Sequence, residues 1–367
     1  MKKILINTAL ILTSILLTYG LMEVFFRVSL PHLPMALFNS QCRELRTVGQ
    51  TSKKDKVPTA PYIAILGDSY GIGQGDWFAD NRYNQNSRYH TAHVLQDLTG
   101  QDVISLSRAG AGNYDGAAIY AINTFRYLND SGFDYPAPET IVVYFYEGND
   151  INDNVRFMKR YFSPEHNDEN LFDDEAFAEF ANRMDTEHSQ GDLPRLQDKF
   201  LVANLMSRFV EGIIYSANKK ANPLPPGTRY KAIMNGEEVW LPDTVENDLT
   251  TTKERSLAIG VRFYERALHR VSQYWPDSKK IAVYIPSPLT TYDLVGEKAK
   301  RRLDISRELE EMVRKASLQN DFEFVNISTE LRQQARSKYF HGPKDWNHFN
   351  RAGYELLGKA LAKNIQQ

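Results

Sequence analysis

Cysteine is almost absent. Cys42 is the single one in 367 residues, which excludes an intrachain disulfide framework, a CxxC redox pair and a cysteine-rich zinc site. An excess of positive charge is absent too. Lys+Arg is 44, Asp+Glu is 46 and the net charge is −2. Binding of nucleic acid through phosphate neutralisation is therefore disfavoured. Mean hydropathy is −0.48, so a polytopic membrane protein is excluded. No internal repeat and no low-complexity tract is visible. Charged residues at 25% and hydrophobic residues at 42% are ordinary globular values and exclude a disordered or collagen-like chain.

One long apolar run breaks this polarity. Met1-Lys2-Lys3 precedes an uncharged stretch from Ile4 to Met22, close to the length that crosses a bilayer as a helix. The lysines suit a cytoplasmic amino end. Small residues at a cleavage site are lacking, so residues 1–28 read as an uncleaved signal anchor, with a cleaved signal peptide as the alternative. A single-pass anchor in the cytoplasmic (inner) membrane would leave the remainder extracytoplasmic, in the periplasm or at the cell surface. Residues 29–60 read as a linker, punctuated by Pro31, Pro34 and Pro58 and by the polar run Thr51 to Lys56.

From residue 61 the pattern changes. Tyr62 to Leu66, Val103 to Leu106, Thr140 to Tyr146, Ile281 to Ile285 and Phe322 to Ile327 are short apolar runs that read as buried strands. Helices are expected over Arg88–Leu98, Ala117–Leu128, Lys253–Tyr274, Lys298–Ser317 and Ala352–Ile365. Such alternation implies an α/β fold, a parallel sheet with helices on both faces. Residues 151–250 interrupt the rhythm. They carry acidic helical stretches, a proline-rich break at Asn222 to Gly227, and Tyr230–Leu241 with Asn235-Gly236 inside, a β-hairpin signal. This block reads as an insertion over the sheet, a lid or substrate-binding element, within a domain spanning 61–367.

Ligands of open parallel sheets bind beyond the carboxyl ends of the strands. Four segments stand there: Gly67-Asp68-Ser69, Ser107 to Asn113, Glu147-Gly148-Asn149-Asp150, and Asp345-Trp346-Asn347-His348 before the last helix. Together they form a coherent set. A serine hydroxyl becomes a nucleophile when a base accepts its proton, and His348 can be that base, because imidazole as a group titrates near neutrality. Asp345, three residues earlier, can hold the far ring nitrogen. The backbone N–H of Ser69, the close backbone approach that Gly110 permits and the amide of Asn149 are candidate oxyanion donors. Singly, each segment has a plain reading: a helix-capping turn, a polar turn after a strand, a surface histidine. Their order after successive strands favours the joint reading.

These blocks resemble those of the SGNH (GDSL-type) hydrolases, serine esterases and acyltransferases on a flavodoxin-like three-layer αβα sandwich with a five-stranded parallel sheet. The resemblance covers residues 61–150 and about 280–367. It implies Ser69 as nucleophile, Ser69, Gly110 and Asn149 as the oxyanion hole, and Asp345 with His348 completing a triad. Tyr70 replaces the family's leucine after the serine, and Glu147 stands where the Gly-x-Asn-Asp block has its first glycine, which could alter the pocket's charge or the loop's backbone. Gly112 is an alternative to Gly110. The implied activity is hydrolysis of an ester, possibly O-acetyl, on a small molecule or a cell-surface glycan, with no metal or organic cofactor required. The alternatives are an O-acyltransferase using the same groups and a non-catalytic glycan-binding module.

Other signals have double readings. His90 and His93 have metal-ligand spacing but no third ligand nearby, and surface positions are favoured. Trp77, Phe78 and Trp346 could stack on a sugar ring or pack in the core. Tyr284-Ile285-Pro286-Ser287-Pro288 could line the site or end a strand.

Overall fold

The computed structural model describes residues 2–29, 32, 61–76, 90–162, 173–187, 200–207, 210, 228–242 and 248–366. Most of the 29–60 linker with Cys42, Trp77 and Phe78, Arg88, and the proline-rich break at 222–227 lie outside them. The chain opens with helix α1 (Lys2–Ser29), long and apolar enough to cross a membrane. A five-stranded sheet follows, built from β1 (Tyr62–Leu66), β2 (Asp102–Ser105), β3 (Thr140–Tyr146) and two later strands. The short helix α2 (Ser69–Ile72) follows β1, and α3 (Thr91–Thr99) leads into β2. Between β2 and β3 a π-helical stretch (Tyr114–Tyr120) runs into α4 (Ala121–Asp130).

After β3 come α5 (Asp150–Tyr161), α6 (Asp174–Glu187) and the strands β4 (Thr228–Met234) and β5 (Glu237–Pro242). Helix α7 (Glu254–Tyr274), β6 (Lys279–Ile285), a short α8 (Pro288–Thr291) and a two-residue β7 (Asp293–Leu294) follow. The chain closes with α9 (Ala299–Gln319), β8 (Glu323–Asn326), α10 (Ser328–Ala335) and α11 (Arg351–Ile365). Strand order in the main sheet is β2-β1-β3-β6-β8, every pair parallel. This is the flavodoxin-like order, a three-layer α/β sandwich.

Strict alternation explains why the strands read as unbroken apolar runs. Tyr62, Ala64 and Leu66 face one core, and Ile63 and Ile65 the other. On β3, Ile141, Val143 and Phe145 join the first, and Val142, Tyr144 and Tyr146 the second. Both faces are covered, so neither can be polar. Helices α4, α7 and α9 cover one face; α3, α10 and α11 cover the other.

Among the described parts of residues 151–250, Leu201 and Leu249 join the first core. Helices α5 and α6 build a separate aromatic cluster with α7, in which Phe157, Phe177 and Phe180 surround Phe263. The β4–β5 hairpin turns at Asn235 (φ 53°) and Gly236 (φ 81°), the left-handed pair of a type I′ turn. Strand β4 also pairs with β7, giving a small three-stranded sheet. That pairing and helix α10 have no counterpart in the sequence reading.

Two side-chain expectations are corrected. His90 is fully buried and His93 is 8% exposed, so neither is a surface histidine. His90 caps α3, its Nδ1 accepting the Ala92 N–H at 2.9 Å, and its ring stacks on Tyr354. Capping and stacking make this imidazole part of the core. Among the described residues no group of three metal-ligating side chains is present.

Candidate active site

The sheet order reverses direction at β1, with β2 on one side and β3 on the other. The crevice beyond such a switch point is where an open α/β sheet receives ligands. Ser69 stands there, at the first turn of α2. Asp68 caps that helix, its Oδ1 accepting the Tyr70 N–H at 2.9 Å. Capping fixes the turn and so aims the Ser69 hydroxyl.

Three distant residues meet at that hydroxyl. The Ser69 Oγ lies 2.8 Å from His348 Nε2, and His348 Nδ1 lies 2.8 Å from Asp345 Oδ2. A carboxylate can only accept, so Nδ1 carries the proton and Nε2 is left to accept from serine. The Ser69 hydroxyl also approaches Asp68 Oδ2, at 3.3 Å. With one proton to give, it makes its shorter bond to the imidazole. Burial pushes the Asp345 carboxyl up. The His348 charge, its hydrogen bond and the N–H groups of Asn347 and His348 outweigh this and hold it below the usual carboxylate range. The Ser69 residue is 6% exposed, while the side chains of His348 and Asp345 are 15% and 25% exposed. The base is therefore accessible from solvent.

Two of the segments that carry candidate oxyanion donors are tied to the nucleophile loop. Asn149 follows β3, and its Nδ2 donates to Asp68 Oδ2 at 3.2 Å, the oxygen that the Ser69 hydroxyl also approaches. The loop after β2 is tied to the nucleophile loop by the Arg108 N–H, which donates to the Gly67 carbonyl at 2.9 Å. Within that loop, Gly110 has φ 72° and open space where a side chain would begin. A Cβ on Gly112 would sit 2.5 Å from Asn154 Oδ1. Gly112 packs closely against α5, while Gly110 is exposed with a left-handed backbone.

Several residues hold this arrangement to which the sequence reading assigned no such role. Asp76 Oδ1 accepts the N–H groups of both Lys344 and Asp345, at 2.8 and 2.7 Å. Burial pushes its carboxyl up against those two bonds, which lower it. The Tyr70 hydroxyl donates to the Asn347 carbonyl at 2.8 Å and Tyr146 does so at 3.2 Å, while the Tyr70 ring tilts against the His348 imidazole. Tyr70 therefore fastens the histidine loop. Behind Asn149, Asp150 Oδ2 accepts the Tyr146 N–H at 2.6 Å and the Asn113 amide at 3.0 Å. Burial drives its carboxyl well up, and the nearby Asp68 adds to this. A plain signal for Asp150 was its place in the Gly-Asn-Asp block; Asp76 had none.

The Glu147 side chain is engaged by four hydroxyl groups. Its Oε1 accepts from Ser287 (2.9 Å) and Thr290 (2.6 Å), its Oε2 from Tyr284 (2.6 Å) and Ser306 (2.5 Å). It is 2% exposed. The Tyr284 to Pro288 segment is thus engaged in a buried network. Trp346 is also buried, stacked on Tyr292 at 5.5 Å with Tyr339 at its edge. It forms a wall beneath the Asp345–His348 loop.

No family model matches the chain, and no curated protein matches it. Solved structures similar to it include a family two carbohydrate esterase from Clostridium thermocellum in complex with cellohexaose, at 12% identity and a TM-score of 0.40. An acetyl xylan esterase from the rumen bacterium Butyrivibrio proteoclasticus is similar at 11% identity and a TM-score of 0.38. Each comparison covers 85% of this chain and 65% of the other. The chain thus spans just under two thirds of the length of these neighbours, and a likeness this distant assigns it no reaction.

Proposed function

We propose that the chain is a serine esterase of the SGNH type, acting on ester groups, among them O-acetyl groups of a glycan. The observation that carries this reading is the Ser69–His348–Asp345 relay, with both hydrogen bonds at 2.8 Å. Ser69 Oγ attacks the ester carbonyl carbon while His348 Nε2 takes its proton. Asp345 holds the imidazole in the required tautomer and stabilises the imidazolium. Negative charge gathers on the carbonyl oxygen, which the N–H groups of Ser69 and Gly110 and the Asn149 amide stabilise. The alcohol leaves with the proton from His348, giving an acyl-Ser69. Water, deprotonated by His348, then attacks the acyl carbon and releases the acid and the free hydroxyl of Ser69.

In this reading α1 anchors the protein in the cytoplasmic membrane and the catalytic domain lies on the extracytoplasmic side. Residues 151–250 serve as a lid or substrate-binding insertion. The pairing of β4 with β7 supports part of this, because β7 adjoins Tyr292, which stacks on Trp346 of the histidine loop.

The test is hydrolysis of p-nitrophenyl acetate and of an O-acetylated oligosaccharide by the full chain in detergent. Release of free acetate, absent in Ser69→Ala and His348→Ala, is the expected result. Undiminished release by either variant would contradict it. Transfer of acetate to an added glycan without free acid would make the chain an acyltransferase.

A further inference from the structure

Glu23 is a charged residue at the end of an apolar run, and it is only 8% exposed. A carboxylate so placed is costly unless partnered. Its partners come from far along the chain. Oε1 accepts the Leu201 N–H at 2.6 Å and Oε2 the Val202 N–H at 2.9 Å. Arg27, one turn further along α1, donates to Oε1 at 3.2 Å. Leu201 and Val202 begin the helical residues 201–207, whose first N–H groups have no acceptor within the helix. Phe26 packs against the core cluster to which Leu201 belongs. So α1 is clamped to the domain before its own end at Ser29.

The clamp fixes a height. At 1.5 Å per residue the run Ile4–Met22 extends about 28 Å, close to the roughly 30 Å of a hydrocarbon core. Glu23 then falls at the outer edge of that core, and residues 201–207 are tied to the same level. One side of this segment is largely apolar and uncovered. Phe200 is 69% exposed, Met206 58% and Val210 49%. Ala203 is exposed between them. Spacings of three put Phe200, Ala203 and Met206 on one face of this segment, with the small exposed Ser207 among them, while Leu201 and Val202 turn inward.

We propose that residues 200–207 with Val210 form a lipid-contacting face, whose Phe200, Met206 and Val210 enter the headgroup–acyl boundary of the bilayer that α1 crosses. An in-plane amphipathic segment binds membranes in this way. With the Glu23 clamp, it holds the catalytic domain against the bilayer at a fixed attitude. The occupant is lipid because the clamp sets this face beside the emerging α1. The inference rests on α1 being a membrane anchor.

The test uses the full chain with Cys42→Ser and one nitroxide-labelled cysteine at a time, in vesicles of phosphatidylethanolamine and phosphatidylglycerol. Label sites are M206C, V210C, L12C within α1, and K363C on the exposed side of α11. Collision with oxygen, which partitions into lipid, is compared with collision with a water-soluble nickel chelate. Nickel accessibility at 206 and 210 at least about three-fold below that at 363 is expected, with oxygen accessibility raised. Adding Glu23→Gln should return position 206 toward the value at 363 and leave position 12 unchanged. Values at 206 and 210 equal to that at 363, with position 12 deep in lipid, would overturn the lipid face and leave the anchor standing. An aqueous reading at position 12 would remove the anchor and the proposal together. Dipolar coupling between labels at 206 would assign the face to a second copy and overturn the proposal.

Discussion

Two carboxylates of this domain are linked to hydroxyl groups in different ways. Asp345 reaches Ser69 only through the imidazole of His348. Glu147 accepts four hydroxyls directly, from Tyr284, Ser287, Thr290 and Ser306. A carboxylate bonded to a hydroxyl is a poor base for it, because their proton affinities are far apart. Interposing a group that titrates near neutrality converts the same ingredients into a relay. The Glu147 site lacks that group and is 2% exposed, so its bonds fasten β3 to β6, α8 and α9. The difference separates chemistry from structure, and substitutions can break it on either side.

The largest effect is expected at Asp345. Asp345→Asn presents an amide that can donate to Nδ1 and so favours the wrong tautomer. Esterase kcat should fall about a thousand-fold or more with the urea midpoint little changed. A fall of less than ten-fold in steady-state assays would break the comparison on its catalytic side. Glu147→Gln should do the reverse. One acceptor oxygen becomes an NH2 facing two hydroxyls, and unfolding free energy should drop by about 3 kcal/mol. The kcat per folded molecule should stay within about two-fold, as active-site titration beside urea unfolding would show.

A third carboxylate sharpens the structural side. Asp248 takes two bonds from Arg302, at 3.0 and 2.6 Å, on the helix that also carries Ser306. Burial raises its carboxyl, but the bonds from Arg302 and Thr250 prevail and bring it down to about 2. Its unfolded value is near 4, so its stabilisation is complete above pH 4 and lost as pH falls towards 2. Asp248→Asn should therefore cost about 1–2 kcal/mol at pH 7, the side chain being 20% exposed. The gap between wild type and variant should close between pH 4 and 2 in chemical unfolding. A gap that stays constant would contradict the assignment. The smallest effect is expected at Tyr70, a hydroxyl with a structural task on the catalytic side. Tyr70→Phe removes one hydrogen bond to the Asn347 carbonyl and should cost about 1 kcal/mol. The kcat should fall only a few-fold, with KM unchanged.

The strands were legible because a sheet covered on both faces needs apolar residues at every position, as in Thr140–Tyr146. Ser69 and Asn149 were legible because each sits in a short local motif at a strand end, and His348 because its motif precedes the last helix. What escaped the sequence depends on pairings across hundreds of residues. The Asp76 bonds to Lys344 and Asp345, the Tyr70 bond to Asn347 and the Glu23 clamp on Leu201 have no local signature. The hydroxyls around Glu147 come from β6, the α8 region and α9, and periodicity in any one of them does not foretell their convergence. His90 misled for a related reason: a polar residue at a helix start reads as exposed, but its ring is roofed by Tyr354 from α11.

Reaction of the full chain with a fluorophosphonate, read by intact mass and peptide mapping, tests the relay most directly. One adduct per chain on Ser69 is predicted, forming at least about a hundred-fold more slowly in His348→Ala. A folded chain that stays unlabelled, is modified at another serine, or reacts at the same rate without His348 would contradict the account.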